Sequence, residues 1–412
     1  MSASVSAPTA PSAGKPDLPS STAAAARPRI ARAAILFRVL TLVALLGLGA
    51  SYFTPIWWVS LKAPNYPAQT FPDGVRIHFH VDRVANGCQM RESKEVLEKE
   101  ALDCVSEMDT INHFVGMYPI ASGGPVEMMF SGFLYAFLAV VLLGFAIPGR
   151  VPRTLIMAAG FAATAVWMTL ALYTPDGVQY MGRNWLAGLV DSLGRADDIP
   201  DEALHPVVRQ LKESLAKSGI GTPAVPKAAV DATRAQLIDA LKTAHDVKAP
   251  VSLTEPAPVW SGRALDVLAW YYAESLGRWF NEPAKNARYV TTVRTTTHVL
   301  YGTILAAMVF FLWLAWRPRS RLFILFPIAG MLLPLIFLVV YSAWLWWYGH
   351  TLNAMGAFTL KPFMPTVFGD GKVAQFSTHS YPHIGFALMC LVAAAMAVAA
   401  VLRRSLPPAA KN

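Results

Sequence analysis

Charged side chains are scarce in this chain. Asp, Glu, Lys and Arg account for 15% of its 412 residues, whereas soluble domains carry roughly 25%. Hydrophobic residues account for 54%. A soluble globular protein of this composition would have too little polar side-chain surface to face water. The composition therefore excludes an ordinary soluble protein and predicts a polytopic membrane protein.

Familiar catalytic and cofactor motifs are also missing. The sequence contains no Gly-x-Ser-x-Gly, no His-Glu-x-x-His, no Walker lysine loop and no zinc-finger spacing. An enzyme is therefore the less favoured class. The absence of Cys-x-x-Cys-His leaves a covalently attached haem without support. The net charge of +9 comes without a basic helix interleaved with aromatic residues, so no nucleic acid partner is predicted.

Long apolar segments are what the chain does have. Crossing the hydrocarbon core of a bilayer takes about 20 apolar residues in a helix. The sequence predicts an all-α membrane protein with six transmembrane helices. The predicted spans cover residues 33–53, 127–147, 154–173, 297–316, 322–347 and 383–402. No span carries an interior carboxylate or lysine and none is expected to be broken, so a small-solute transporter is not favoured.

Arginines flank the spans at one predicted membrane face, and positive charge near span ends marks the cytoplasm. Both termini are therefore predicted to be cytoplasmic, with residues 1–32 a disordered tail and 403–412 a short one. Residues 54–126, 174–296 and 348–382 become three outer loops that form a periplasmic domain. The clusters are Arg27, Arg29 and Arg32; Arg150 and Arg153; Arg317, Arg319 and Arg321; and Arg403, Arg404 and Lys411.

The outer loops carry local structural signals. Residues 75–81 alternate as a strand does, which puts His78 and His80 on one face. In the second loop, amphipathic helices are predicted over 179–193, 200–218, 227–244 and 262–280. The third loop is rich in Pro and Gly and predicts an ordered cap made of turns. Aromatic residues at the outer ends of the spans favour an interfacial belt over a quinone- or haem-stacking role. They include Trp57, Trp58, Tyr173, Trp344, Trp346, Trp347 and Tyr348.

Histidine and methionine concentrate on the predicted outer side, where all nine histidines fall in this topology. Imidazole and thioether together suit copper, especially the cuprous ion. His113 and Met117 are four residues apart, as on one helix face, and Asp109 could orient His113 or begin the helix. Donors from the first and third loops could meet around one ion. The predicted metal ligands are His78, His80, His113, Met117, His350, His379 and His383.

A haem site is the alternative. His298 and His383 lie at the outer ends of the fourth and sixth predicted spans, and two imidazoles from facing helices can hold a b-type haem. A structural hydrogen bond for each imidazole is the simpler interpretation at this depth.

The three cysteines bear on the same question. Cys88 and Cys104 share the first outer loop, where an oxidising compartment favours a disulfide. Two free thiols that bind copper or are redox-active remain the alternative. Cys390 lies within the sixth predicted span, too deep to pair with either.

Two short motifs carry a family resemblance. Residues Met108–Ile120 and the segments Lys361–Pro365 and Gln375–Thr378 resemble a poorly characterised family of multi-span bacterial membrane proteins. That family accompanies nitrous-oxide reductase and other copper-enzyme gene sets. The resemblance implies an inner-membrane accessory protein that holds, matures or passes copper or electrons to a periplasmic or membrane metalloenzyme, in a protein complex. The alternatives are a respiratory subunit that binds haem or quinone and a cofactor-free structural subunit.

Overall fold

The computed structural model describes residues 21–88, 102–194, 232–248, 259–357, 360–373 and 375–405. Helices dominate these residues. Most of the predicted tail lies outside them, but residues 21–32 already belong to the first helix, where the sequence predicted disorder. In chain order the helices are α1 (Ser21–Phe53), α2 (Cys104–Phe114), α3 (Pro125–Ala146), α4 (Arg150–Tyr173), α5 (Arg183–Gly194), α6 (Arg234–Lys248), α7 (Ala264–Trp279), α8 (Pro283–Trp316), α9 (Leu325–Met331), α10 (Leu333–His350) and α11 (Ile384–Ser405).

Five of these helices, α1, α3, α4, α8 and α11, are long and apolar enough to cross a membrane. The pair α9 and α10 adds a sixth candidate if it counts as one bent span. The multi-pass membrane class is therefore confirmed. Helix α8 begins at Pro283, well before the predicted start at residue 297, so the fourth candidate span continues as a helix into what was predicted to be loop.

The expectation that no span is broken is wrong. Helices α9 and α10 meet at Leu332 with a bend of 58°. Pro334 lies in the first turn of α10. Proline has no backbone N–H, and its ring clashes with the carbonyl four residues earlier, so it ends or kinks a helix that runs through it. The hydropathy of this segment hides the break because both halves are apolar.

The all-α prediction is also wrong, because a five-stranded antiparallel sheet forms beside the helices. The spatial order of its strands is β3-β2-β1-β5-β4. The first predicted loop supplies three strands and the third loop supplies two, so these loops do meet. The strands are β1 (Trp57–Lys62), β2 (Val75–Phe79), β3 (Val84–Asn86), β4 (Gly369–Val373) and β5 (Phe376–Pro382).

Strand β1 follows α1 almost directly, and β5 leads into α11. The packed helix pair α1 and α11 therefore continues into the antiparallel strand pair β1 and β5. Trp57 opens β1 and is 2% exposed. Its ring contacts Tyr341 of α10 and Phe386 of α11, so it anchors the sheet onto the helices. The interpretation of Trp57 as part of an interfacial belt is corrected: it belongs to the core.

The second predicted loop contributes helices α5, α6 and α7, near three of the four expected positions. The fourth, over residues 200–218, lies outside the described residues. Helix α7 packs beside the short turn Ile120–Ser122 of the first loop, where the hydroxyls of Ser122 and Ser275 are hydrogen-bonded. We call the described loop residues, 54–88, 102–124, 174–194, 232–248, 259–282, 351–357, 360–373 and 375–383, the cap.

Candidate functional site

The sheet brings together two histidines from different loops. His78 on β2 pairs across the ladder with Trp58, and Trp58 pairs on its other side with Tyr381 of β5. His383 follows β5, and its backbone N–H donates to the carbonyl of Ile56 at 2.9 Å. The imidazole centres of His78 and His383 are consequently 5.2 Å apart, with their planes at 56°.

His80 joins this pair electrostatically. It lies just beyond the end of β2 at Phe79, and its backbone N–H donates to the carbonyl of Arg83 at 2.9 Å. Burial lowers the pKa of its imidazole to about 3, with further lowering by the charges of Arg83, His78 and His383. We call His78, His80 and His383 the histidine cluster.

The whole histidine cluster is uncharged at neutral pH. Burial lowers the pKa of His78 to about 4, assisted by His383 and Arg76. The pKa of His383 is also lowered, mainly by burial and then by Arg76. Neutral imidazoles keep a lone pair on one ring nitrogen, which is the form that binds metals. The arrangement can therefore supply nitrogen donors without first losing protons.

His383 also has a structural role. The backbone N–H of Ile384 donates to its Nδ1 at 2.8 Å, which satisfies one of the free amides at the start of α11. In the neutral ring the proton then lies on Nε2. Metal binding through Nδ1 requires this hydrogen bond to open. Within the described residues, no group of three or more His, Cys, Asp or Glu is arranged to hold a metal ion.

Arg76 and Arg83 lower the pKa values of the histidine cluster further, after burial, and neither arginine was predicted as a site residue. The guanidinium of Arg76 lies 4.3 Å from the ring centre of Trp58, on the face of the sheet that also carries His78. Arg83 adjoins Asp82, whose carboxyl is buried and has its pKa raised mainly by that burial. The only sequence signal for either arginine was its closeness to a predicted histidine.

The predicted pairing of His113 with Met117 on one helix face is wrong. Helix α2 ends at Phe114, and Gly116 adopts φ +80°. The N–H groups of Gly116 and Met117 donate to the carbonyls of His113 and Asn112, the pattern of a Schellman C-cap. Met117 thereby turns into the core, where it is 6% exposed.

His113 lies away from the histidine cluster as well. Its ring packs 4.9 Å from Phe280 and 5.4 Å from Trp279, measured between centroids. Its Nδ1 is buried without a hydrogen-bond partner in the described part of the chain. Asp109 neither orients His113 nor begins α2: its carboxylate accepts from the N–H of Ile120 at 2.6 Å. Asp103 caps α2 instead.

Two further predicted ligands have partners of their own. His350 stacks on Trp346 with centroids 4.5 Å apart, and its Nδ1–H donates to the Trp346 carbonyl at 2.8 Å. His379 on β5 pairs with Asp370 on β4, with Nδ1 and Oδ1 2.6 Å apart. The structure thus brings three of the seven predicted ligands together, and the other four lie elsewhere.

The predicted haem ligands have different partners. The Nδ1 of His298 is 2.8 Å from the hydroxyl of Tyr173 on α4, and the two rings are stacked. His383 lies against His78. Each imidazole thus has a structural hydrogen bond, His298 with Tyr173 and His383 with the backbone of Ile384, as the simpler interpretation of the sequence expected.

The predicted disulfide is confirmed. Cys88 and Cys104 are bonded, with Cα atoms 5.9 Å apart. The bond ties the end of the β3 segment to the start of α2. Neither thiol is then available as a copper ligand, so any metal site in this part of the cap depends on histidines.

Fold and site together describe a helical, multi-pass membrane protein with a sheet-containing cap that carries a histidine cluster. Comparison of the chain with protein-family models, with curated proteins and with solved structures gives no match.

Proposed function

We propose that the protein is an accessory protein of the bacterial inner membrane that handles copper for a periplasmic or membrane metalloenzyme. The observation that carries the proposal is the contact between His78 and His383, with His80 coupled to both. Neutral imidazoles suit copper, and the cuprous ion can be held by two nitrogen ligands. His78 and His383 would be the ligands.

The cap would face the periplasm, with both termini in the cytoplasm. Arginines lie at the helix ends remote from the cap, including Arg150, Arg321 and Arg404. The same ends are free of carboxylates, because residues 136–160, 305–332 and 390–405 contain no Asp or Glu. This distribution of charge is typical of the cytoplasmic side of a membrane protein.

An incomplete set of ligands supports transfer of copper over permanent storage. A structural metal site closes the coordination shell with protein ligands, whereas a site with open positions can exchange what it holds. The contact between His78 and His383 offers two donors. His383 must release its hydrogen bond from Ile384 to use Nδ1. A partner protein in the membrane or periplasm would complete the coordination and receive the ion.

Competition titration of purified, full-length protein with a chromophoric cuprous chelator tests the proposal. Wild-type protein is expected to bind about one Cu(I) per chain, and His78→Ala or His383→Ala to weaken binding by at least about tenfold. His350→Ala is the matched control, because His350 stacks on Trp346 outside the cluster. Equal affinity in wild-type protein and in the His78→Ala/His383→Ala double variant would contradict the proposal.

A further inference from the structure

A cavity of about 430 Å³ lies where the cap meets the spanning helices. Its walls come from α1, α3 and α4, and its roof from the cap around Met181 and the first residue of α6. Along α1 the lining residues include Leu45, Gly49 and Tyr52, which recur at the spacing of one helix face. Gly49 and Phe53 are exposed at its edge, so the cavity opens sideways between helices.

The cavity is polar at one end and apolar at the other. Four hydroxyl-bearing residues, Tyr52, Ser131, Tyr135 and Tyr180, line it at the end near the cap. The rings of Tyr52 and Tyr135 are 5.2 Å apart, and the Tyr135 hydroxyl lies 3.3 Å from that of Ser51. Further from the cap the lining includes Leu45 and Ala139. An amphiphile would place its head by the tyrosines and its chain along α1 and α3.

One charged side chain, Arg234, occurs among the described residues that line the cavity. It is exposed, and its Nη1 donates to the Gln179 carbonyl at 3.2 Å. A guanidinium has five N–H donors, and among the described residues this is the one hydrogen bond of the Arg234 side chain, so further donors can reach a second acceptor. Helix α6 begins at Arg234, so the positive end of the helix dipole lies at the same place. Arginine and helix start together favour an anionic head group.

We infer that this cavity binds one anionic phospholipid from the leaflet next to the cap. The phosphate lies at Arg234, the rest of the head group lies beside the hydroxyls of Tyr52 and Tyr180, and an acyl chain follows the groove between α1 and α3. A neutral isoprenoid quinone could fill the apolar part, but it would leave the Arg234 charge unused. The inference does not depend on copper binding by the histidine cluster.

Native mass spectrometry of full-length protein tests the assignment. The protein is reconstituted in vesicles of equal parts phosphatidylglycerol and phosphatidylcholine, then released in mild detergent. Wild-type protein is expected to retain one phosphatidylglycerol in preference to phosphatidylcholine. Arg234→Gln should reduce that preference about fivefold. Arg288→Gln, an exposed arginine on α8 that does not line the cavity, is the matched control and should match wild type.

A second variant tests the position of the acyl chain. Ala136 lines the cavity, so Ala136→Trp should fill it and remove retention of either lipid in protein that keeps its helical circular dichroism. If that variant does not fold, the comparison of Arg234→Gln with wild type still tests whether the cavity prefers an anionic phospholipid. Equal retention of the two lipids by wild-type protein, an unchanged preference in Arg234→Gln, or a bound isoprenoid quinone in protein from native membranes would each overturn the assignment.

Discussion

The imidazole of His383 lies against that of His78, with ring centres 5.2 Å apart, at the junction of the sheet with the spanning helices. His383 lies at the predicted start of the sixth span, directly after the third loop, and His78 comes from the first loop. Antiparallel pairing of β1 with both β2 and β5 brings them together. A ligand that bridges the two rings would therefore tie both loops to the start of α11.

Copper binding should persist to lower pH than at an ordinary histidine site. A free imidazole, with a pKa near 6.5, is mostly protonated at pH 5 and has lost its lone pair. The folded-state pKa values of about 4 for His78 and about 3 for His80 keep both rings neutral at that pH. The pKa of His383 is lowered as well, so we expect the cuprous affinity to fall less between pH 7 and pH 5 than it would at a site of free imidazoles. A fall in cuprous affinity of about tenfold or more per pH unit in this range would contradict the inference that the histidine cluster is uncharged.

The same lowered pKa values link pH to stability. Between the folded and unfolded pKa values, the unfolded chain binds more protons than the folded one, so unfolding becomes easier as pH falls. The destabilisation of the folded state that comes from His78 is absent above about pH 6.5 and complete below about pH 4. Thermal unfolding followed by tryptophan fluorescence should show a midpoint that falls between pH 7 and pH 4. The fall in the midpoint should be smaller in a His78→Gln/His80→Gln variant. An equal fall in that variant would contradict the lowered pKa values of the two histidines.

Gly116 is required by the turn that ends α2. Its φ is +80°, and a Cβ built there would lie 2.5 Å from the backbone oxygen of Asn353. Gly116→Ala should therefore lower the free energy of unfolding by about 1–3 kcal/mol. Gly277→Ala is the control, because a Cβ there meets nothing within 4 Å and alanine favours the helix by about 0.5–1 kcal/mol. The two variants should shift the unfolding midpoint in opposite directions.

The Cys88–Cys104 disulfide should stabilise the cap chiefly by restricting the unfolded chain. For a sequence separation of 16, the loss on removing the bond is about 3 kcal/mol. Cys88→Ser/Cys104→Ser should lower the unfolding midpoint, and a reducing agent should lower it in wild-type protein but not in the variant. Sensitivity of the variant to the reducing agent would show that Cys390, the third cysteine, forms an intermolecular disulfide instead.

Neighbouring tryptophans offer a matched test of the sheet anchor. The Nε1–H of Trp57 donates to the Ser380 hydroxyl at 2.8 Å, and the side chain is buried. Trp58 is only partly buried and stacks on Tyr381. Trp57→Phe should cost about 1–3 kcal/mol in unfolding free energy, from the lost hydrogen bond and lost volume. Trp58→Phe should cost less, and the reverse order would contradict the assignment of Trp57 to the core.

The sequence predicted the spanning helices well because a run of about 20 consecutive apolar residues is characteristic of a transmembrane helix. It predicted one strand of the sheet, over 75–81, where β2 forms. It missed the central strand, β1, because β1 follows α1 with hardly a break and its two tryptophans suited an interfacial belt equally well. It missed the bend at Leu332 because Pro334 lies within an unbroken apolar run.

The residues of the candidate site could be predicted only where local spacing brings them together. Spacing could place His78 and His80 near each other, since both lie on or beside one strand. Spacing also predicted that one helix runs through His113 and Met117, but the turn at Gly116 ends that helix before Met117. The contact between His78 and His383 depends on strand pairing between distant loops, which no local pattern encodes. Cys88 and Cys104 were predictable because their pairing needed only a shared loop and an oxidising compartment.

The metal and haem content of full-length protein extracted from native membranes tests the central claim most directly. Copper and haem would be measured on wild-type protein and on the His78→Ala/His383→Ala variant, with His350→Ala as the control. We expect copper approaching one ion per chain in wild type and control, a large loss in the double variant, and no Soret absorption in any of them. Less than about a tenth of a copper per chain in wild type, or a stoichiometric haem, would contradict it.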